Sequence, residues 1–158
     1  MKTTYILVLS LVLLVFSCSE EIKPTPYNYT TIFTGQNSKT WKLKFAEETL
    51  NGDVTETFNI ACGTDDKYIF YADAERSYEA VNGSRNCQNQ GDYGVIRTSW
   101  SFNNASATLA MLLPFFTTEG SIPLIVREVK GNKMELEYFF NEENTQSYRL
   151  HFDATDED

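Results

Sequence analysis

The chain has 158 residues, thirteen basic and twenty-two acidic side chains, a net charge of −9 and 14% aromatic residues. That is one domain's worth of chain, and its charge argues against a nucleic-acid partner, because phosphate binding is driven by clustered Lys and Arg. One histidine and three cysteines leave few metal or triad chemistries open, while the aromatic density predicts a packed core rather than disorder.

Lys2 precedes an apolar run from Tyr5 to Phe16, interrupted only by Ser10. The run is shorter than the ~20 residues that span a bilayer but fits the apolar region of a secretory signal. It ends in Val15-Phe16-Ser17-Cys18, which resembles a bacterial lipobox, with Phe16 in place of the commoner small residue. The expectation is a signal peptide over 1–17 and acylation at Cys18; a plain signal peptide or an uncleaved anchor is the alternative. Two acyl chains anchor a protein stably, and the lipoprotein resemblance implies lipid anchoring at the outer membrane, with exposure at the cell surface left open.

Ser19-Glu20-Glu21-Ile22-Lys23-Pro24-Thr25-Pro26 reads as a tether, since two prolines and several charges cannot form a core element. A tether over 18–30 and a folded domain over 31–158 follow. The acidic residues after Cys18 resemble the surface-export signal of lipoproteins from Bacteroidota, with an ordinary solvated linker as the equal alternative.

With Cys18 assigned to lipid attachment, Cys62 and Cys87 remain as an even pair in an oxidising compartment, and a disulfide is the economical reading. Zinc needs about four ligands, which two cysteines and the distant His151 do not supply.

From residue 39 onward the apolar pattern has period two. Trp41, Leu43 and Phe45 alternate with lysines, as in a half-buried strand. Asn51-Gly52-Asp53 signals a hairpin turn into Val54–Ile60. Strands follow over Lys67–Ala72 and Arg76–Val81, then Gly94–Asn103, Thr108–Leu113, Ser121–Lys130, Lys133–Phe140 and Gln146–Phe152. Pro123 restricts its strand to an edge or places the proline among the strand's first residues. About eight or nine short strands joined by hairpin-length turns predict an all-β, up-and-down antiparallel barrel, which removes exposed edges.

The order of Gly35, Lys39-Thr40-Trp41-Lys42-Leu43, Cys62, Asp65-Asp66 with an aromatic strand, Cys87 and Trp100-Ser101-Phe102 resembles the lipocalin-like domain lipoproteins of Bacteroidota. The resemblance spans about Thr30 to Asp153. It implies an up-and-down barrel of about eight strands, a Trp on the first strand plugging one end, and a lipid anchor. Gly35 and Trp41 are six apart, whereas classical lipocalins place Gly and Trp two apart, so the barrel carries over better than a carrier function.

Catalysis is the weakest reading. His151 is the only base for a triad and is expected to point outward from a terminal strand. Glu135 and Glu137 share a strand face, which is ordinary for a sheet surface and only weakly suggests a glycosidase pair. Asp65-Asp66 reads as a turn, since the ligand spacing of a calcium loop is missing. No enzyme activity, cofactor or metal is expected.

Trp41, Phe45, Tyr68, Phe70, Tyr78, Trp100, Phe102, Tyr138 and Tyr148 are expected on one face of successive strands. There they either line a pocket for a small hydrophobic molecule or simply fill the barrel. Phe115 and Phe116 form an apolar loop that reads as a mouth lid, a patch for a protein partner, or a segment tucked under the barrel end. Two functions follow: an anchored module binding a small hydrophobic ligand inside its barrel, or an accessory lipoprotein with a solid barrel that contacts another cell-surface protein.

Overall fold

The computed structural model describes residues 29–61, 63–85 and 92–155. The signal segment, Cys18, the tether up to residue 28, Cys62 and Cys87 lie outside the described residues. A short helix α1 (Tyr29–Thr34) precedes ten strands: β1 (Ser38–Leu50), β2 (Asp53–Phe58), β3 (Lys67–Tyr71), β4 (Ser77–Val81), β5 (Val95–Ser99), β6 (Ser101–Asn103), β7 (Thr108–Met111), β8 (Ile122–Lys130), β9 (Lys133–Phe139) and β10 (Gln146–Thr155).

The sheet runs β5-β4-β3-β1-β10-β9-β8-β7-β6, with β2 paired to the second half of β1. All neighbours are antiparallel. Strands β5 and β6 stand at opposite ends of this order yet are separated in the chain only by Trp100. One strand, expected as a single run over Gly94–Asn103, thus pairs on one edge with β4 and then on the other with β7. The result is an all-β, nearly closed antiparallel barrel. Pro114 has no N–H with which to extend the β7 ladder, and Leu112 and Leu113 turn into the core instead.

Local chemistry explains the pieces. Asn51 and Gly52 both take positive φ, 54° and 90°, as the primed hairpin turn between β1 and β2 requires. Pro123 is the second residue of β8, opposite Ala110, at the strand beginning where a missing donor is tolerated. Helix α1 spans six residues, too few to leave a stripe in the sequence. Gly35 ends it at φ 62°, donating its N–H to the Thr31 carbonyl at 2.8 Å, a left-handed cap. It starts two residues before the expected beginning of the folded domain.

The lower end of the barrel is filled. Trp41 donates its indole N–H to the Phe33 carbonyl at 2.9 Å, which ties α1 to β1. Phe33 packs on Trp100 and Phe102 at centroid distances of 5.7 and 5.2 Å, and Phe70 packs on Trp100 and Tyr78 at 5.5 and 5.0 Å. Such tilted and edge-to-face pairs add roughly 0.5–1.5 kcal/mol each beyond the area they bury.

One expectation about facing is corrected. The β1–β10 register shifts between Leu43 and Phe45, so Lys44 is an inserted residue. Because side chains alternate with period two, one extra residue moves the following ones to the other face. Phe45 therefore lies outside the barrel, 36% exposed, and stacks on His151 at 4.2 Å and 16°. Ala46 takes the interior position.

Candidate functional site

The nine aromatic residues expected on one face separate into three groups. Trp41, Tyr68, Phe70, Tyr78 and Trp100 are fully buried and fill the interior, with Phe102 half-buried against α1. Phe45 is outside. Tyr138 and Tyr148 are half-buried at the upper end, the end to which β1 runs. Among the described residues, three cavities of about 460, 350 and 440 Å³ are lined mainly by residues of the outer wall and the lower rim.

At the upper end, Tyr148 is a hub. Phe58 meets it edge-on at 5.8 Å, Phe116 stacks on it at 5.9 Å and 23°, and Phe140 lies at 4.8 Å. Phe116 also packs on Tyr138 at 5.1 Å. Register places Glu56 opposite Glu48, Glu48 opposite Tyr148, and Tyr148 opposite Tyr138. Directly opposed residues share a face, so Glu56, Glu48, Tyr148 and Tyr138 form one row across β2, β1, β10 and β9, facing the mouth. Leu50 and Phe140, at 44% and 40% exposure, continue that face beyond the row.

The loop from Leu112 to Ser121 closes over the mouth. Phe115 and Phe116 are half-buried there, against each other at 4.6 Å, so the loop is tucked onto the barrel end and its rings are not a free patch. Tyr78 holds its root by donating to the Leu112 carbonyl at 2.6 Å. Gly63 allows the approach from the other side, since a Cβ there would lie 3.1 Å from the Phe115 ring.

Where β3 begins and β4 ends lies a polar cluster around Asp65 and Asp66, a pair that reads in the sequence as a turn. Asp66 is buried and accepts the Gly83 N–H at 2.7 Å. Burial raises its carboxyl above the usual range, opposed by the Gly83 N–H and by the Tyr93 and Tyr68 hydroxyls directed at it. Neither hydroxyl closes a full hydrogen bond, and burial pushes both phenols upward. The neighbouring Asp65 accepts the N–H and hydroxyl of Ser84 at 2.8 and 2.9 Å and the Arg85 N–H at 3.0 Å. Burial would raise Asp65, but these hydrogen bonds outweigh it and hold its carboxyl below the ordinary value.

The outer wall carries the remaining candidates. His151 faces outward, with Nε2 3.1 Å from Glu47 and Nδ1 3.8 Å from Glu135. Glu137 is buried under Arg127, which pairs with it from the β8 bulge, and accepts the Ser147 hydroxyl at 2.5 Å. Ser147 in turn meets Thr49 at 2.6 Å. Ser147 and His151 are four residues apart in an extended strand, about 13 Å, so no nucleophile–base contact forms between them. Glu135 pairs with Arg149 at 3.3 Å, so Glu135 and Glu137 each face a guanidinium rather than a shared cleft. Among the described residues no cluster of His, Cys, Asp and Glu is arranged to hold a metal ion.

The mouth row was missed in the sequence because it exists only once β2 folds onto β1. Tyr138, Tyr148 and Phe116 were found by alternation and apolar loop composition, whereas Phe58, Phe140, Glu48 and Glu56 carried no signal of their own. No protein-family model matches the chain, and no curated protein matches its sequence.

Proposed function

We propose that the protein is a lipocalin-like lipoprotein, anchored to the outer membrane through Cys18, that binds a small hydrophobic molecule at the barrel mouth. The observation that carries the ligand reading is the half-buried ring cluster around Tyr148, set on a barrel whose lower interior is filled. Buried aromatic side chains with a polar tip offer large contact area and orientation together. The anchor rests on the lipobox-like Val15-Phe16-Ser17-Cys18 and the tether after it.

Native mass spectrometry of the full chain purified from its own membranes tests the ligand. Added mass that survives in wild type and disappears in Tyr148→Ala supports the reading; a bare polypeptide mass in both removes it. Metabolic labelling with a radiolabelled fatty acid tests the anchor, with label expected on wild type and lost in Cys18→Ala.

The filled lower interior also favours a second reading, an accessory lipoprotein whose barrel is a rigid support and whose mouth contacts another cell-surface protein. A stable partner recovered by pulldown from crosslinked cells, lost in Phe116→Asp, would select it over the ligand.

A further inference from the structure

The mouth face has an unusual charge arrangement for a sheet. Glu48 and Glu56 stand directly opposite each other, and like charges so placed are destabilising. The other opposed glutamates, Glu128 and Glu135, are each neutralised, by Lys130 and Arg149. Among the described residues neither Glu48 nor Glu56 has an ion pair or a side-chain hydrogen bond. Beside them on the same face lie Phe58, two residues from Glu56, and Tyr148, opposite Glu48. Leu50 and Phe140 extend the apolar surface outward.

We propose that this face of the wall binds an organic cation: an ammonium or guanidinium head between the two carboxylates, with an apolar body along Phe58, Tyr148 and Phe140. The charge complementarity selects this occupant. A neutral apolar molecule would leave two opposed carboxylates unrelieved, and an anion would add a third negative charge. A cation neutralises the pair beside the Phe58 and Tyr148 rings, whose electron-rich π systems attract alkylated ammonium groups. Among the described residues strand β2 has no partner on its far side, so the head group approaches over that edge. The inference rests on the mouth being the binding site and adds the charge of the ligand.

The test uses the full chain in neutral detergent with benzyltrimethylammonium as probe and benzyl alcohol as its uncharged counterpart, followed by NMR shifts of the aromatic side chains. The cation is expected to bind at least tenfold more tightly than the alcohol, at the Tyr148 and Phe58 rings, and to weaken with salt. Glu48→Gln and Glu56→Gln should each weaken the cation several-fold, leave the alcohol unchanged, and raise the thermal midpoint by removing the repulsion. Equal binding of cation and alcohol overturns the inference while sparing the mouth as an apolar site. Binding of neither overturns both. Unchanged cation affinity in the two glutamine variants, with the fold intact, also overturns it.

Discussion

Tyr78 and Leu112 join the wall of the barrel to its cover: the phenol on β4 donates to the carbonyl at the root of the mouth loop, 2.6 Å away, with both residues buried. Sequence separation between them is 34, so the bond closes a large loop and forms only in the finished barrel.

Tyr78→Phe keeps the ring packed on Phe70 but takes the donor from a buried carbonyl. An unsatisfied buried acceptor costs about 1–3 kcal/mol, and that loss is expected in urea unfolding. Amide exchange at Phe116 and Thr117, whose N–H groups bond to Leu113 at 2.9 and 3.0 Å, should accelerate by more than at β10. Equal protection in the two proteins would mean the bond does not hold the loop.

Much of the barrel was readable because its signals are local. Asn51-Gly52 announces a primed turn through residues that tolerate positive φ, and Trp41 and Leu43 announce a strand face through alternation. Phe45 was not readable. A bulge at Lys44 leaves composition unchanged and reverses every later facing, so alternation continued through it points the wrong way. Helix α1 is shorter than one clear period of its own pattern. Asp66 and Tyr93 are brought near each other by the pairing of β3, β4 and β5, and Glu48 and Glu56 by β2 docking, and pairings of that kind appear only once the register is known.

The corrected placement of Phe45 has a measurable consequence. Phe45→Ala removes an outer ring stacked on His151, with the ring already partly in water, and should cost no more than about 1 kcal/mol. Phe152→Ala, a fully buried position that meets Tyr68 edge-on at 5.7 Å, should cost about 3–5 kcal/mol. Ligand capture at the mouth should be the same in Phe45→Ala as in wild type. Comparable losses of stability for the two variants would return Phe45 to the interior.

Asp65 gives the fold an acid limit. Its carboxyl is held below the ordinary carboxylate value, the hydrogen bonds from Ser84 and Arg85 outweighing burial, so the folded state favours the ionised form more than the unfolded chain does. This contribution is full above the unfolded value and is lost as pH falls through the lower folded one. Asp65→Asn should therefore lose more stability at pH 7 than at pH 3. Asp66 has the opposite sign: its folded value is raised, so its ionisation opposes folding as pH rises through that value. Chemical unfolding of wild type and Asp65→Asn across pH 3–7 checks the sign, and a gap between them that widens toward low pH would contradict it.

Gly83 is fixed by the same carboxylate. A Cβ there would lie 2.3 Å from the Asp65 carboxyl carbon, and that side chain is held by three hydrogen bonds to the next two residues. Gly83→Ala must break this clamp or shift the turn, at about 1–3 kcal/mol. Asp65→Ala should relieve the clash, so the double variant is expected to be less destabilised than the sum of the two single ones. Strict additivity would show that the alanine is accommodated without touching Asp65.

The clamp also bears on the cysteines. The β3–β4 ladder pairs Lys67 with Val81 and is prolonged by Asp66 to Gly83 and by Asp65 to Ser84 and Arg85, so the two sides of the hairpin stay joined as far as Asp65 and Arg85. Cys62 is three residues before Asp65 and Cys87 two after Arg85. A disulfide between them would close a 26-residue loop and stabilise by roughly 3.5 kcal/mol in the chain-entropy estimate. The expected result is a chain from an oxidising compartment in which neither Cys62 nor Cys87 reacts with a thiol reagent until a reductant is added, and whose unfolding midpoint falls on reduction. Cys62→Ser, Cys87→Ser and the double variant should then share one lowered stability, because either single change removes the same bond. Two freely titrating thiols in the oxidised protein, or a double variant as stable as wild type, would dismiss the staple and leave the Asp65 clamp to hold this end of the hairpin by itself.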